Sequence, residues 1–334
     1  MKKTVKKEAL IALIENLMKD HEVVSPVETA GKGVFYRKID KAKDVYLGPA
    51  FAVEPVKKFF LHPSEWICGC NKEEGTASPC PVPADDKKRV IFGVRPCEAR
   101  GLVLLDKIFA PDDPAGYQDT SYIDNRSRSV IVGLACSVPD RTCFCVSLDG
   151  SPVETRGMDA VLFDMGDNFI VEILTEKGKS ILGSLPGTID AGSEKALEAA
   201  KEKTKKLVVK TVKAPDSLDA SFKSDYWKKV SLSCLSCGVC TYLCPTCHCF
   251  DLVEEERKKL RCYDGCAFPD FTLETSGENP RPTKKERYRQ RVFHKFDYFK
   301  KNFGENLCVG CGRCIRFCPV KIDISEVAAG APIK

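Results

Sequence analysis

Cys234-Leu-Ser-Cys237-Gly-Val-Cys240-Thr-Tyr-Leu-Cys244-Pro245 and Cys308-Val-Gly-Cys311-Gly-Arg-Cys314-Ile-Arg-Phe-Cys318-Pro319 decide how the C-terminal third of this chain must fold. Both read C-x2-C-x2-C-x3-C-P, a run that holds [4Fe–4S] clusters. Thiolates are soft ligands suited to clustered iron. Two-residue gaps let a tight loop wrap three corners of one cube, and the small Gly238, Gly310 and Gly312 fit such a loop. The fourth Cys, after a three-residue gap, lies too far round and goes to the other cluster. The expected ligand sets are therefore crossed. One is Cys234, Cys237, Cys240 and Cys318; the other is Cys308, Cys311, Cys314 and Cys244. Pro245 and Pro319 then stop the local helix. A pair of zinc knots is the alternative, but zinc sites usually show paired C-x2-C units rather than runs of four ending in Pro.

The surrounding composition agrees with metal use. The chain has 334 residues, 43% of them hydrophobic, which is enough for more than one domain with a proper core. Its 19 cysteines would read as a disulfide framework in a short secreted protein. The length, the odd count and the start of the chain oppose that. Met1 to Lys7 is basic, but Glu8 and Glu15 interrupt the following apolar stretch and no small-residue cleavage site appears. A cytoplasmic setting with metal-bound thiolates is expected. No apolar run approaches a membrane span. The formal charge of +5 counts every Cys as neutral. A cube with four thiolates carries about −2, so the basic excess does not point to nucleic acid.

Outward from the two runs, the N-terminal part reads as α/β. Leu10, Leu13, Ile14 and Leu17 place an amphipathic helix over 8–19. Residues 89–94 and 130–135 are buried-strand candidates flanking a helix over 98–109, a βαβ unit with a parallel pair. Residues 161–163 and 169–173 form an added hairpin. A charged helix covers 194–206, and the boundary falls near 225. The predicted domains are 1–225, α/β, and 226–334, an α-helical ferredoxin-like domain with clusters between helix ends. Glu254-Glu255-Glu256 before Arg257-Lys258-Lys259 reads as a helix with i,i+3 and i,i+4 pairs. The basic and aromatic stretch 281–301 reads as a solvated helix face, with a sharper alternative in which some Arg offset cluster charge.

Eleven cysteines remain outside the two runs. Cys97, Cys136, Cys143 and Cys145 sit at strand or helix ends of the α/β part. Loops at the carboxyl ends of parallel strands converge on a crevice, and four thiols there would hold a third [4Fe–4S] cluster. The plain alternative is buried free Cys. Cys97 begins a helix, where the dipole favours anionic sulfur. Cys68, Cys70 and Cys80 form a second group in a loop, either further ligands or an irregular surface segment. Cys247, Cys249, Cys262 and Cys266 suit a further four-thiolate site, with packing beside the clusters as the alternative.

These stretches carry a resemblance. Phe92-Gly-Val-Arg-Pro-Cys97-Glu-Ala-Arg100, Gly133-Leu-Ala-Cys136, Thr142-Cys143-Phe-Cys145, Cys244-Pro-Thr-Cys247-His-Cys249-Phe-Asp251, Tyr263-Asp264-Gly-Cys266 and Arg287-Tyr-Arg-Gln-Arg291-Val-Phe-His294 resemble the 4Fe–4S dicluster family. That family contains the beta components of sulfhydrogenases and a component of anaerobic sulfite reductase. Cys262 is additional to its pattern, and Tyr263 stands where it has Trp. The resemblance implies two [4Fe–4S] clusters, with one or two more open, and an electron relay in a larger cytoplasmic complex. The implied partners are a flavoprotein and a catalytic oxidoreductase subunit, of hydrogenase, sulfur or sulfite reductase, or heterodisulfide reductase type. Neither nucleic acid nor membrane is expected as a partner. No catalytic residue is assigned: no G-x-G-x-x-G or Walker loop occurs, and four histidines leave little room for histidine catalysis. The rival readings are a flavin- or thiol-substrate reductase using its own clusters, and a zinc-dependent nucleic-acid module.

Overall fold

The computed structural model describes residues 1–70, 79–80, 87–112, 116–255 and 258–332. Its strands are β1 (Lys2–Lys6), β2 (Glu22–Thr29), β3 (Gly33–Lys38), β4 (Ser64–Cys70), β5 (Pro79–Cys80), β6 (Arg89–Val94), β7 (Ser129–Leu134), β8 (Ala160–Asp164), β9 (Asn168–Ile173), β10 (Phe250–Glu255) and β11 (Lys258–Tyr263). Seven of them form one mixed sheet in the order β1-β9-β8-β7-β6-β2-β3. Its centre, β2-β6-β7-β8, is parallel. Every residue of β6 is buried, as a parallel strand covered on both faces requires.

Alternation along β6 sends Val90 and Phe92 to one face and Ile91 to the other. The first face packs the helix Lys7–Leu17 through Leu10, Ile14 and Leu17. The second packs Pro96–Phe109 through Leu102, Leu105 and Phe109. The helix after β6 and the loop after β7 thus deliver Cys97 and Cys136 to the carboxyl ends of adjacent parallel strands.

The C-terminal part combines short helices with a hairpin. Gly238 (φ +73°) and Gly312 (φ +71°) cap the helices Val239–Tyr242 and Arg313–Arg316 at matching points of the two Cys runs. The left-handed backbone there suits glycine. Trp227, Tyr288, Phe293 and Phe296 build a core beneath them.

Two sequence expectations need correction here. The acidic-then-basic stretch is not a helix. It is the β10–β11 hairpin, with Glu254 opposite Lys259 and Glu255 opposite Lys258. Charges that would pair along a helix pair equally well across strands. The backbone of Cys68, Cys70 and Cys80 is likewise strand rather than loop, with Gly69 opposite Cys80. The side chains of these three cysteines lie outside the described residues. β11 pairs with β4, so this second sheet of four strands, β10-β11-β4-β5, joins segments from both sides of residue 225.

Candidate metal centres

Among the described residues, three cavities are lined by cysteines, each sharing a cysteine with the next. At site 1, Cys234, Cys237 and Cys240 of the first run and Cys318 of the second line one cavity, with Tyr288 and Arg291. At site 2, Cys308, Cys311 and Cys314 of the second run and Cys244 of the first line another, with Arg291 and Lys295. At site 3, Cys97, Cys136, Cys143 and Cys145 line a third, together with Cys311. Cys314 borders sites 1 and 2, and Cys311 borders sites 2 and 3. Among the described residues, no group of three or more His, Cys, Asp or Glu converges on a point as a single metal ion requires.

Three basic residues of the stretch 281–301 turn inward, which corrects the solvated-face reading for them, while Lys284 and Lys301 stay exposed. Arg287, Arg291 and Lys295 are buried. Arg291 Nη1 donates to Cys247 Sγ at 3.3 Å and Nη2 to the Cys240 carbonyl at 2.8 Å. Lys295 Nζ donates to Thr246 Oγ1 at 2.8 Å, and that hydroxyl lies 3.3 Å from Cys244 Sγ. Lys57, also buried, donates to the Cys247 carbonyl. Buried cations need anionic partners, and sulfur supplies them. The sulfurs of Cys240, Cys247, Cys314 and Cys244 outweigh the desolvation that would lower Arg291 and hold its pKa well above the ordinary guanidinium value.

Thiol acidity follows the same contest. A hydrogen bond from Cys247 holds Cys244 well below the usual thiol range, against desolvation and with help from Lys295, Arg291 and Lys57. Cys247 keeps the shared proton and is pushed up by that bond and by burial. Burial pushes Cys308, Cys143 and Cys145 up to about 12, and raises Cys136 and, by more, Cys97. At Cys97 desolvation therefore outweighs the expected dipole effect. Such groups become thiolates only with iron to compensate them. A donor set that is all sulfur, spread around cavities and backed by buried cations, fits an anionic cube.

In the third cysteine group, Cys249 and Cys266 are neighbours. Cys249 takes a hydrogen bond from the Cys266 backbone, and Cys266 lies in the field of Arg291 and Cys240. Cys247 faces Cys244, while Cys262 on β11 lies against Ser64 Oγ at 3.8 Å. Lys57, Thr246 and Arg313 were not singled out from sequence. Only Arg313 left a signal, as a basic residue inside a Cys run.

The family described as "4Fe-4S dicluster domain" matches residues 233–322. Sulfhydrogenase 2 subunit beta of Pyrococcus furiosus is 34% identical over 303 residues, which is 87% of this chain and 87% of that protein. The chain belongs to the 4Fe–4S dicluster family of sulfhydrogenase beta subunits. No solved structure matches it. As a member of this dicluster family it is an iron–sulfur electron-transfer subunit of an oxidoreductase. Among its described residues, no helix is long and apolar enough to cross a membrane.

Proposed function

We propose that this chain relays electrons through two [4Fe–4S] clusters with exchanged last ligands, inside a cytoplasmic multi-subunit complex. Site 1 takes Cys234, Cys237, Cys240 and Cys318. Site 2 takes Cys308, Cys311, Cys314 and Cys244. The supporting observation is that each cavity is lined by three cysteines of one run and the last cysteine of the other. The clusters supply one-electron oxidation and reduction. The chain's residues set spacing, burial and charge. Gly238 and Gly312 turn each loop around its cavity, Arg291 borders both sites, and Lys295 sits against site 2. Site 1 reaches the surface at Cys237 and Leu235, both exposed. A relay has to meet its partner where a cluster comes near solvent.

The partners we propose are a flavoprotein and a catalytic subunit of hydrogenase, sulfur or sulfite reductase, or heterodisulfide reductase type. The relative's own name, a sulfhydrogenase subunit, supports this. The test is a pair of comparisons by reduced-state EPR on anaerobically purified protein. Cys318→Ser should lose the same signal as Cys237→Ser, and Cys244→Ser the same signal as Cys311→Ser. If Cys318→Ser instead matches Cys311→Ser, each run fills its own cluster and the exchange is refuted.

A further inference from the structure

We propose that Cys97, Cys136, Cys143 and Cys145 hold a third [4Fe–4S] cluster, which forms the far end of a row running from site 1 through site 2. The site itself does not depend on how sites 1 and 2 are ligated. Only its place in the row rests on that reading.

Four observations carry it. First, the four thiols come from the helix after β6, the loop after β7 and the short segment 143–145, yet all are buried around one hollow. Ordinary buried cysteines scatter through a core. Four around a shared cavity make a complete set for a cube. Secondly, the spacing is wrong for a single ion, since no three described ligating groups converge. A cube needs its thiolates held apart at the corners.

Thirdly, the surroundings carry positive charge that the protein leaves partly uncompensated. Arg100 is 1% exposed, and none of its guanidinium nitrogens has a hydrogen-bond partner. Its nearest carboxylate oxygen, on Glu305, is 3.9 Å away. Arg100 lies beside the Cys145 segment: a Cβ added at Gly150 would stand 2.9 Å from Arg100 Nη1 and 3.4 Å from Cys145 Cβ. A buried guanidinium with no hydrogen bond and only this long ion pair is costly, and an anionic cluster adds negative charge beside it. Arg95 and Arg313 are buried within the field of Cys136.

Fourthly, site 3 shares a wall with site 2. Cys311 lines both cavities, and its carbonyl lies 3.8 Å from Cys143 Sγ. Phe144 N–H donates to the Gly310 carbonyl at 2.9 Å. The two ligand loops are therefore joined by backbone, with Cys311 in the wall between the hollows.

The experiment counts iron and acid-labile sulfide per chain in the full-length protein purified without oxygen. Roughly twelve of each are expected, three cubes of four. Cys136→Ser and Cys143→Ser should each fall to roughly eight while keeping the EPR signals that Cys237→Ser and Cys311→Ser remove. Cys249→Ser should stay near twelve. About eight iron in the parent protein overturns the proposal. So does a twelve-iron parent in which Cys249→Ser, and not Cys136→Ser, drops to eight. Should either site 3 variant fail to fold, the parent count and the Cys249→Ser result still decide. Failure of the ligand exchange would appear separately, in the Cys318→Ser and Cys244→Ser spectra.

Discussion

Arg313 Nη2 donates to Glu98 Oε1 at 2.8 Å with both side chains closed to solvent. Arg313 lies inside the second Cys run, and Glu98 lies one residue past Cys97 on the helix after β6. The pair therefore locks the two parts of the chain together between sites 2 and 3. Glu98 is fully occupied, since it also accepts from Val56 N–H and from Tyr36 O–H. Removing one member of a buried pair strands the other charge, at a cost of about 3–5 kcal/mol. Glu98→Ala should lose about that much stability in urea unfolding under anaerobic conditions. Glu98→Gln should lose less, because its amide oxygen still accepts. A Glu98→Ala protein within about 1 kcal/mol of the parent would show that the pair does not hold the halves.

Arg291 makes a second prediction, about potential. It borders sites 1 and 2 and is buried. A positive charge favours the reduced, more negative form of a neighbouring cluster. Removing a unit charge at an effective dielectric near 20 shifts reduction by on the order of 2 kcal/mol, roughly 80 mV for a one-electron couple. Arg291→Gln should make at least one of the two EPR-detected couples more negative by that order in a redox titration. Unchanged midpoints would mean that solvent or relaxation already screens the charge.

The α/β frame was legible at β6 and β7, whose short, mostly apolar runs flank a helical pattern; β2, which mixes Ser, Pro and charged residues, was not. β1, Lys2–Lys6, was not legible, because lysines dominate it and only pairing with β9 makes it a strand. The β10–β11 hairpin was hidden for a different reason: its charge pattern satisfies helix and hairpin alike. At the metal centres, the Cys spacing pointed to which thiols would meet. It did not show that Arg287, Arg291 and Lys295 turn inward, because a basic helix normally faces water. The burial of Arg291 and Lys295 depends on sulfur brought from Cys240, Cys244 and Cys247, which is a tertiary fact, whereas Arg287 donates to the Arg281 and Pro282 carbonyls.

Acid should weaken the fold through partly buried imidazole. His294 is partly buried and its pKa is lowered to about 3, first by desolvation and then by His248, Lys295, Arg281 and Arg291. His62 is also lowered, mainly by desolvation. An unfolded His titrates near 6.5, so below that pH the unfolded chain binds more protons than the native one. Stability is then fully present above about pH 6.5 and falls as pH drops toward the folded value, by up to about 1.4 kcal/mol per unit for His294 and by less for the more solvent-screened His62. Denaturation at pH 7.5 and pH 5.5, with iron content checked at both, should show this loss. His294→Gln should flatten the slope. An equal slope in the variant would assign the acid sensitivity to other groups.

Gly310 offers the sharpest test of the contact between sites 2 and 3. Its φ is +67°, and an added Cβ would lie 2.6 Å from both Cα and N of Cys145. Those atoms are backbone and cannot swing aside, so the 143–145 segment and the second Cys run would have to separate. Gly304 provides the control, with φ +76° and nothing within 4 Å of its added Cβ. Gly304→Ala meets only left-handed strain, about 1–2 kcal/mol, and should keep its full iron. Gly310→Ala meets the same strain plus the backbone collision, and should lose iron from site 2 even where the rest of the chain stays folded by circular dichroism. If both variants retain the parent iron content and differ by less than about 1 kcal/mol in stability, the close approach of Gly310 to Cys145 is not needed to build these centres.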